Sequence, residues 1–247
     1  MKTYKRQLDD IQKVLSGGVD EKETEFNSRT AVLTQYKIVD NEFNMLFKGK
    51  VAVKVSSADC ILLTEFFFSG LINELTDAEL LAIISILCTQ ERAGNKQPEC
   101  ITMYSEAFKK AYAFMIDETT KLIALEETFN INEEKNFSKR LNFCFYEAVY
   151  DWASNCDFID IISECGIEEG IVIKMFGTVD RVRQSLAAMA KVVGDNALAQ
   201  RLENMKPLID RGIVKMQSLY LEVEHEQPKQ MFEESVENSL IAEESKD

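Results

Sequence analysis

The chain has 247 residues, 42 acidic against 28 basic, a net charge of −14 and 46% apolar residues. That is enough apolar material for one large or two small cores, so a folded protein is expected. Nucleic-acid affinity depends on Lys and Arg neutralising phosphates, so a chain this acidic is a poor free-standing RNA or DNA binder, and any such role needs a local basic surface completed by another domain.

Residues 1–28 hold a short helix-like run, YKRQLDDIQKVL, ended by Gly17-Gly18 and followed by the acidic VDEKETE; this reads as an extension or linker. Between Val32 and Val55, YKIVDNEFNMLF has two β-capable runs around Asp40-Asn41, and KGKVAVKV alternates apolar and basic positions, so a small N-terminal β-hairpin with a short extra strand is expected. From there on every segment reads helical, with Ser56-Ser57 as the cap of the first helix, SADCILLTEFFFSGL, which runs to Gly70. LTDAELLAIISILCTQERAG begins with a capping box, Thr76 as N-cap and Glu79 reaching back, and ends at Gly94. A long helix over ECITMYSEAFKKAYAFMIDETTKLIALEETF and another over FSKRLNFCFYEAVYDWAS follow, then the short DFIDIISECG, which turns at Gly166. In the next helix Ile171, Met175, Val179, Val182, Leu186, Met189 and Val193 fall on one apolar stripe. Gly177 and Thr178 lie off the stripe, and neither is a good helix former. Gly194-Asp195 separates that helix from NALAQRLENM, after which Pro207 forces a kink or a fresh start. The expected fold is mainly α, a helical bundle over 29–221, with residues 222–247 an acidic, disordered tail.

Much chemistry is excluded. The chain has no GxxxxGK[ST] phosphate loop, GxGxxG fingerprint, HExxH or GxSxG elbow. Its single histidine, His225, lies in the acidic tail, which nearly excludes histidine catalysis and makes a structural zinc site improbable. Six cysteines, Cys60, Cys88, Cys100, Cys144, Cys156 and Cys165, stand singly and read as reduced thiols of a cytosolic or nuclear protein. Adjacent carboxylates such as Glu126-Glu127 and Glu168-Glu169 point apart on a helix and read as solvated faces. The longest apolar stretch is broken by Glu65, and MKTYKRQLDD has no apolar signal core, so neither membrane spanning nor secretion is expected.

Several segments in collinear order carry a resemblance. KGKVAVKVSSADCILLTEFFFSGLINELTDAELLAIISILCTQER, then EAVYDWAS, DFIDIISECGIEEGIVIKMF and VVGDNALAQRLENMKPLIDRGIVKMQSLYL, resemble the DSHCT domain. This is the C-terminal helical domain of DExH RNA helicases that work with the RNA exosome. The F-x-G turn and the QER ending are more similar to the nuclear mRNA-transport-regulator type than to the cytoplasmic superkiller type.

The resemblance implies a helical bundle packed against helicase motor domains, supplied in cis or in trans, closing a channel for single-stranded RNA. ATP and magnesium belong to those motor domains, and no cofactor is expected on these residues. Exosome-associated proteins are further implied partners, and the nucleus, or alternatively the cytoplasm, the implied location. Glu91 matches an RNA-facing glutamate of the family, and Thr178 an RNA-facing arginine. Where relatives carry an arginine near 174 and a basic pair at 177–178, this chain has Lys174, Gly177 and Thr178, so most of the implied charge is gone.

Lys174, Thr178, Arg181 and Ser185 share one face by spacing, which keeps Lys174 and Arg181 as candidate phosphate contacts, whereas Arg183 reads as surface. Trp152 is expected in the core rather than stacked on a base, and Arg211 in a structural ion pair or helix-end contact. The rival reading is a free-standing, diverged protein of this type acting as a non-catalytic interaction adaptor.

Overall fold

The computed structural model describes residues 22–89, 104–131 and 140–215, all of whose regular elements are helices. The first, α1, covers residues 22–35. The expected hairpin reduces to a single antiparallel bridge between Val39 and Met45. Asp40 closes the turn: its carboxylate accepts from the Glu42 and Asn44 amides at 2.8 and 2.9 Å. These hydrogen bonds, chiefly those from Asn44, hold the Asp40 carboxyl below the usual carboxylate range.

KGKVAVKV is not a strand, since it forms helix α2 (Phe47–Ala52). Val51 and its neighbour Ala52 are both buried, which a pleated strand with one face covered cannot achieve. Packing of α2 on α3 (Cys60–Ser69) and α8 (Glu169–Val193) overrides the local β preference. At Gly49 an added Cβ would lie 2.4 Å from the Ile38 carbonyl oxygen, so only glycine lets α2 approach the 38–46 loop this closely.

The cap of α3 is Asp59, whose side chain accepts from the Ile61 and Leu62 amides; Ser56 and Ser57, the expected caps, are engaged elsewhere. α3 ends at left-handed Gly70, and a 3-10 turn over Leu71–Asn73 leads to α4 (Asp77–Ile86). The capping box of Thr76 and Glu79 is present. α4 reads apolar nearly all round, and Leu80 to Cys88 are all buried, making it the central element. It is packed by α5 (Glu106–Thr128), α6 (Tyr146–Ala153) and α8. The helix stops at Ile86, where Asn142 takes over its end: the Asn142 amide donates to Ile86 O at 2.7 Å and Nδ2 to Cys88 O at 3.1 Å.

Residues 140–145, expected to be helical, therefore run as an irregular segment. Within it Arg140 reaches Asp59 at 2.9 Å and Glu126 at 2.6 Å, tying the start of α3 to the end of α5.

α7 (Phe158–Cys165) turns at left-handed Gly166 into α8, which stops at left-handed Gly194. α9 (Asn196–Asn204) and the short α10 (Lys206–Ile209), with Pro207 in its first turn, follow. Arg201 of α9 donates to Asp77 at 2.8 Å and to the Ile72 and Leu75 carbonyls, clamping α9 to the start of α4. The five cysteines among the described residues are free thiols. No described helix is long and apolar enough to cross a membrane. Glu91, Gly94, Cys100, His225, residues 1–21 and the acidic tail lie outside the described residues.

Candidate nucleic-acid interface

Helix α8 is wrapped more widely than its apolar stripe requires. Met175, Val179, Val182, Leu186 and Met189 are fully buried, but so are Val172 and Thr178, and Phe176, Arg183 and Ser185 are nearly so. Val193, assigned to the stripe, is 39% exposed. Arg183 is 3% exposed, a correction to its reading as surface. Its Nε donates to Asp180 at 2.7 Å and its Nη1 to the Leu202 carbonyl at 2.7 Å, so it joins α8 to the end of α9. A buried guanidinium needs such partners, and α9 supplies one that the helix's own sequence does not reveal.

Between Lys174 and Lys191, α8 leaves open one strip. Lys174, Arg181, Gln184 and Lys191 are exposed, with Gly177 and Ala188 half-buried between them. At helical spacing these positions fall within about 100° of arc and extend about 26 Å along the axis. A Cβ placed on Gly177 would meet nothing within 4 Å. The glycine is therefore not demanded by packing, and it lies between the two cations Lys174 and Arg181 on the solvent side.

Thr178 and Ser185 are not on that strip. Thr178 Oγ1 donates to the Lys174 carbonyl at 3.1 Å and accepts from Arg181 Nη2 at 2.8 Å. Ser185 Oγ lies 3.1 Å from Ser56 Oγ and accepts from the Ser56 amide at 3.0 Å. Arg181 Nε donates to Ser57 Oγ at 3.1 Å. The α2–α3 connection thus lies along one edge of the strip, held by Ser56 and Ser57. Of the four residues assigned to a common face, two are buried in this seam and two, Lys174 and Arg181, remain accessible.

Arg181 also acts on the end of α4: burial pushes the Cys88 thiol up to about 12, and the Arg181 charge opposes that rise. At the other end of the strip Lys191 is paired with Glu203 of α9. The polar residues at i, i+7, i+10 and i+17 from Lys174 mark the strip in the sequence. The serine seam has no comparable signal, because it joins residues 129 apart in sequence.

Trp152 and Arg211 form a separate cluster. Trp152 is 3% exposed, stacks on Phe176 at 5.2 Å and donates from Nε1 to the Ile209 carbonyl at 3.0 Å. The Arg211 guanidinium lies 3.7 Å from the indole centroid. Its Nη2 donates to the Trp152 and Cys156 carbonyls at 2.6 and 3.1 Å, a cation at the C-terminus of α6, where the helix dipole favours it. No base could reach this ring face without displacing Arg211. Among the described residues no group of His, Cys, Asp and Glu could hold a metal ion.

Residues 42–217 match the DSHCT (NUC185) domain. The chain is 31% identical over 200 residues to the ATP-dependent RNA helicase mtr4 of Schizosaccharomyces pombe, covering 80% of this chain and 17% of that protein. It is 30% identical over 198 residues to the Superkiller complex protein 2 of Homo sapiens, covering 79% and 15%. It is 25% identical over 201 residues to the Antiviral helicase SKI2 of Saccharomyces cerevisiae, covering 80% and 15%. The chain thus spans about a sixth of the length of these relatives. With the family's pattern running through most of a helical bundle, the chain belongs to the DSHCT domain family of RNA helicases of the mtr4 and SKI2 type.

Proposed function

We propose that this chain acts as the helical domain of an exosome-cofactor RNA helicase, lining the path of single-stranded RNA while motor domains outside these residues bind ATP and magnesium and hydrolyse the nucleotide. The observation that carries this reading is the open strip on α8, where Lys174 and Arg181 stand on the solvent side of a DSHCT domain whose other α8 faces are packed. Two cations on a chain of charge −14 give weak contact alone, so RNA affinity depends on the motor domains. Glu91 and Thr178 enter this reading differently. Thr178 acts by holding the Arg181 guanidinium, and Glu91 is proposed as an RNA-facing carboxylate at the channel. The nucleus is the proposed site of action, resting on the resemblance to the mRNA-transport-regulator type, and exosome-associated proteins are the proposed partners.

The test is photo-crosslinking of a single-stranded oligonucleotide to the chain, alone and mixed with helicase motor domains, for wild type and for Lys174→Ala with Arg181→Ala. Crosslinks to α8 that appear in the mixture and fall in the double variant support the channel role. Indistinguishable wild-type and variant crosslinking, with the chain still holding a protein partner, supports the adaptor instead.

A further inference from the structure

Seven of the ten large apolar side chains exposed among the described residues belong to one region: Phe26, Phe43, Met45, Leu46, Phe47, Val53 and Phe68. Phe26, Phe43, Met45 and Phe47 are each more than half exposed, and the Phe26 and Phe43 rings lie 5.8 Å apart. Such clustering is unlike the scattered single exposures that need no explanation. Phe43 is held at φ +64°, a left-handed conformation that costs a bulky residue energy, yet its ring is turned outward rather than buried. The same stretch carries Lys37, Lys48, Lys50 and Lys54 against Asp40 and Glu42. Lys48 pairs with Glu65, whereas Lys37, Lys50 and Lys54 have no ion pair among the described residues. Asp40 is occupied in closing its own turn.

We propose that this lysine-flanked aromatic surface is a docking site for the chain's own acidic tail, through residues 231–241, MFEESVENSLI. Complementary charge selects this occupant. The tail beyond Leu221 has nine acidic and two basic residues, while the other terminal segment, residues 1–15, has four basic and two acidic ones and is repelled by the same lysines. Phe232, Val236 and Leu240 recur at four-residue spacing with Glu233, Glu234 and Glu237 between them, the pattern of an acidic segment that folds on binding. The tail also lies beyond residue 217, where the family match ends.

Reach agrees as well. A flexible linker of ten residues, the length from 222 to 231, has a root-mean-square span of about 17 Å, and a domain of this size has a radius of gyration of about 16 Å. The tether holds the tail at an effective concentration near the millimolar range, so a contact with only a sub-millimolar dissociation constant keeps the surface covered. Docking would screen the lysines and aromatic rings from other acidic ligands until one competes the tail away.

The experiment is zero-length carbodiimide crosslinking of the full chain, with linked peptides mapped by mass spectrometry at two protein concentrations. Links from Lys37, Lys50 or Lys54 to Glu233, Glu234 or Glu237, unchanged by dilution, are expected. They should fall at least about fivefold in the triple variant Phe232→Ser, Val236→Ser, Leu240→Ser, which keeps the three carboxylates available for coupling, with acetylation of the three lysines rising by a similar factor. These changes leave the bundle untouched. Absence of the links, links that weaken with dilution, links instead to residues 1–21, or lysine acetylation unmoved by the triple variant overturns the proposal.

Discussion

Gly177 and Gly49 make a matched pair for one perturbation, glycine to alanine, with opposite expected signs. Gly177 stands within α8, away from both ends, and a Cβ there meets nothing within 4 Å. Alanine is favoured over glycine in a helix interior by about 1 kcal/mol, because the unfolded chain loses less freedom on folding. Gly177→Ala should therefore raise stability by about 0.5 to 1 kcal/mol, a rise in Tm of about 1 to 4 °C for a domain of this size. At Gly49, also helical, the same methyl would lie 2.4 Å from the Ile38 carbonyl oxygen and 2.7 Å from Met45 Cγ. The Met45 side chain can move, but the carbonyl belongs to the backbone that pairs with the Leu46 amide at 2.9 Å. Overpacking of this kind costs about 1 to 3 kcal/mol, which outweighs the propensity gain. Urea and thermal unfolding followed by circular dichroism at 222 nm measure both variants against wild type. A Gly177→Ala variant no more stable than wild type, or a Gly49→Ala variant as stable, would refute the placement of these helices.

Other expectations follow from the same geometry. Gly177→Arg should place a third cation between Lys174 and Arg181 and steepen the salt dependence of single-stranded RNA binding by about 0.7 in log–log slope, read by fluorescence anisotropy; an unchanged slope would remove the strip from the RNA path. Arg211→Ala removes two hydrogen bonds and the guanidinium over Trp152, with an expected loss of about 1 to 3 kcal/mol in urea unfolding. Arg183→Ala leaves the Leu202 carbonyl without its Nη1 donor and removes the cation from Asp180, which keeps Gln184, so a loss of about 2 to 3 kcal/mol is expected, far beyond what a surface arginine would give. Burial by itself would raise the Glu79 carboxyl, but hydrogen bonds from Ser105 and Thr76 bring it below its ordinary value. A depressed carboxyl contributes stability above its unfolded pKa of about 4.3 and loses it as pH falls through the lower folded value. Glu79→Gln should accordingly flatten the acid limb of the stability profile below about pH 5, and identical limbs would contradict this.

Local chemistry made some boundaries legible. The Thr76–Glu79 capping box and the glycines Gly70, Gly166 and Gly194 act through their own few neighbours, so their residue types suffice to place them. KGKVAVKV misleads because its alternation of lysine and apolar residues satisfies a strand template, while the deciding contacts come from α3 and α8. The irregular 140–145 segment is set by Asn142 taking over the carbonyls at the end of α4, a partnership no local pattern encodes. In the candidate site, Lys174 and Arg181 could be placed by spacing alone. The burial of Thr178 and Ser185 could not, because it depends on Ser56 and Ser57 from a distant connection. Arg183 reads as surface for a related reason, since charge argues for solvent and the buried Leu202 carbonyl that receives it belongs to another helix.

Trp152 is the chain's single tryptophan. Held between Phe176 and Arg211 with its indole N–H on Ile209, it monitors the join between α6, α8 and residues 206–215. Its emission therefore responds to strain transmitted along residues 206–215, so a pull on the C-terminal end should redden the spectrum before the far-ultraviolet signal of the helices declines. The molecule thus carries a built-in optical gauge at this join, usable without adding a dye.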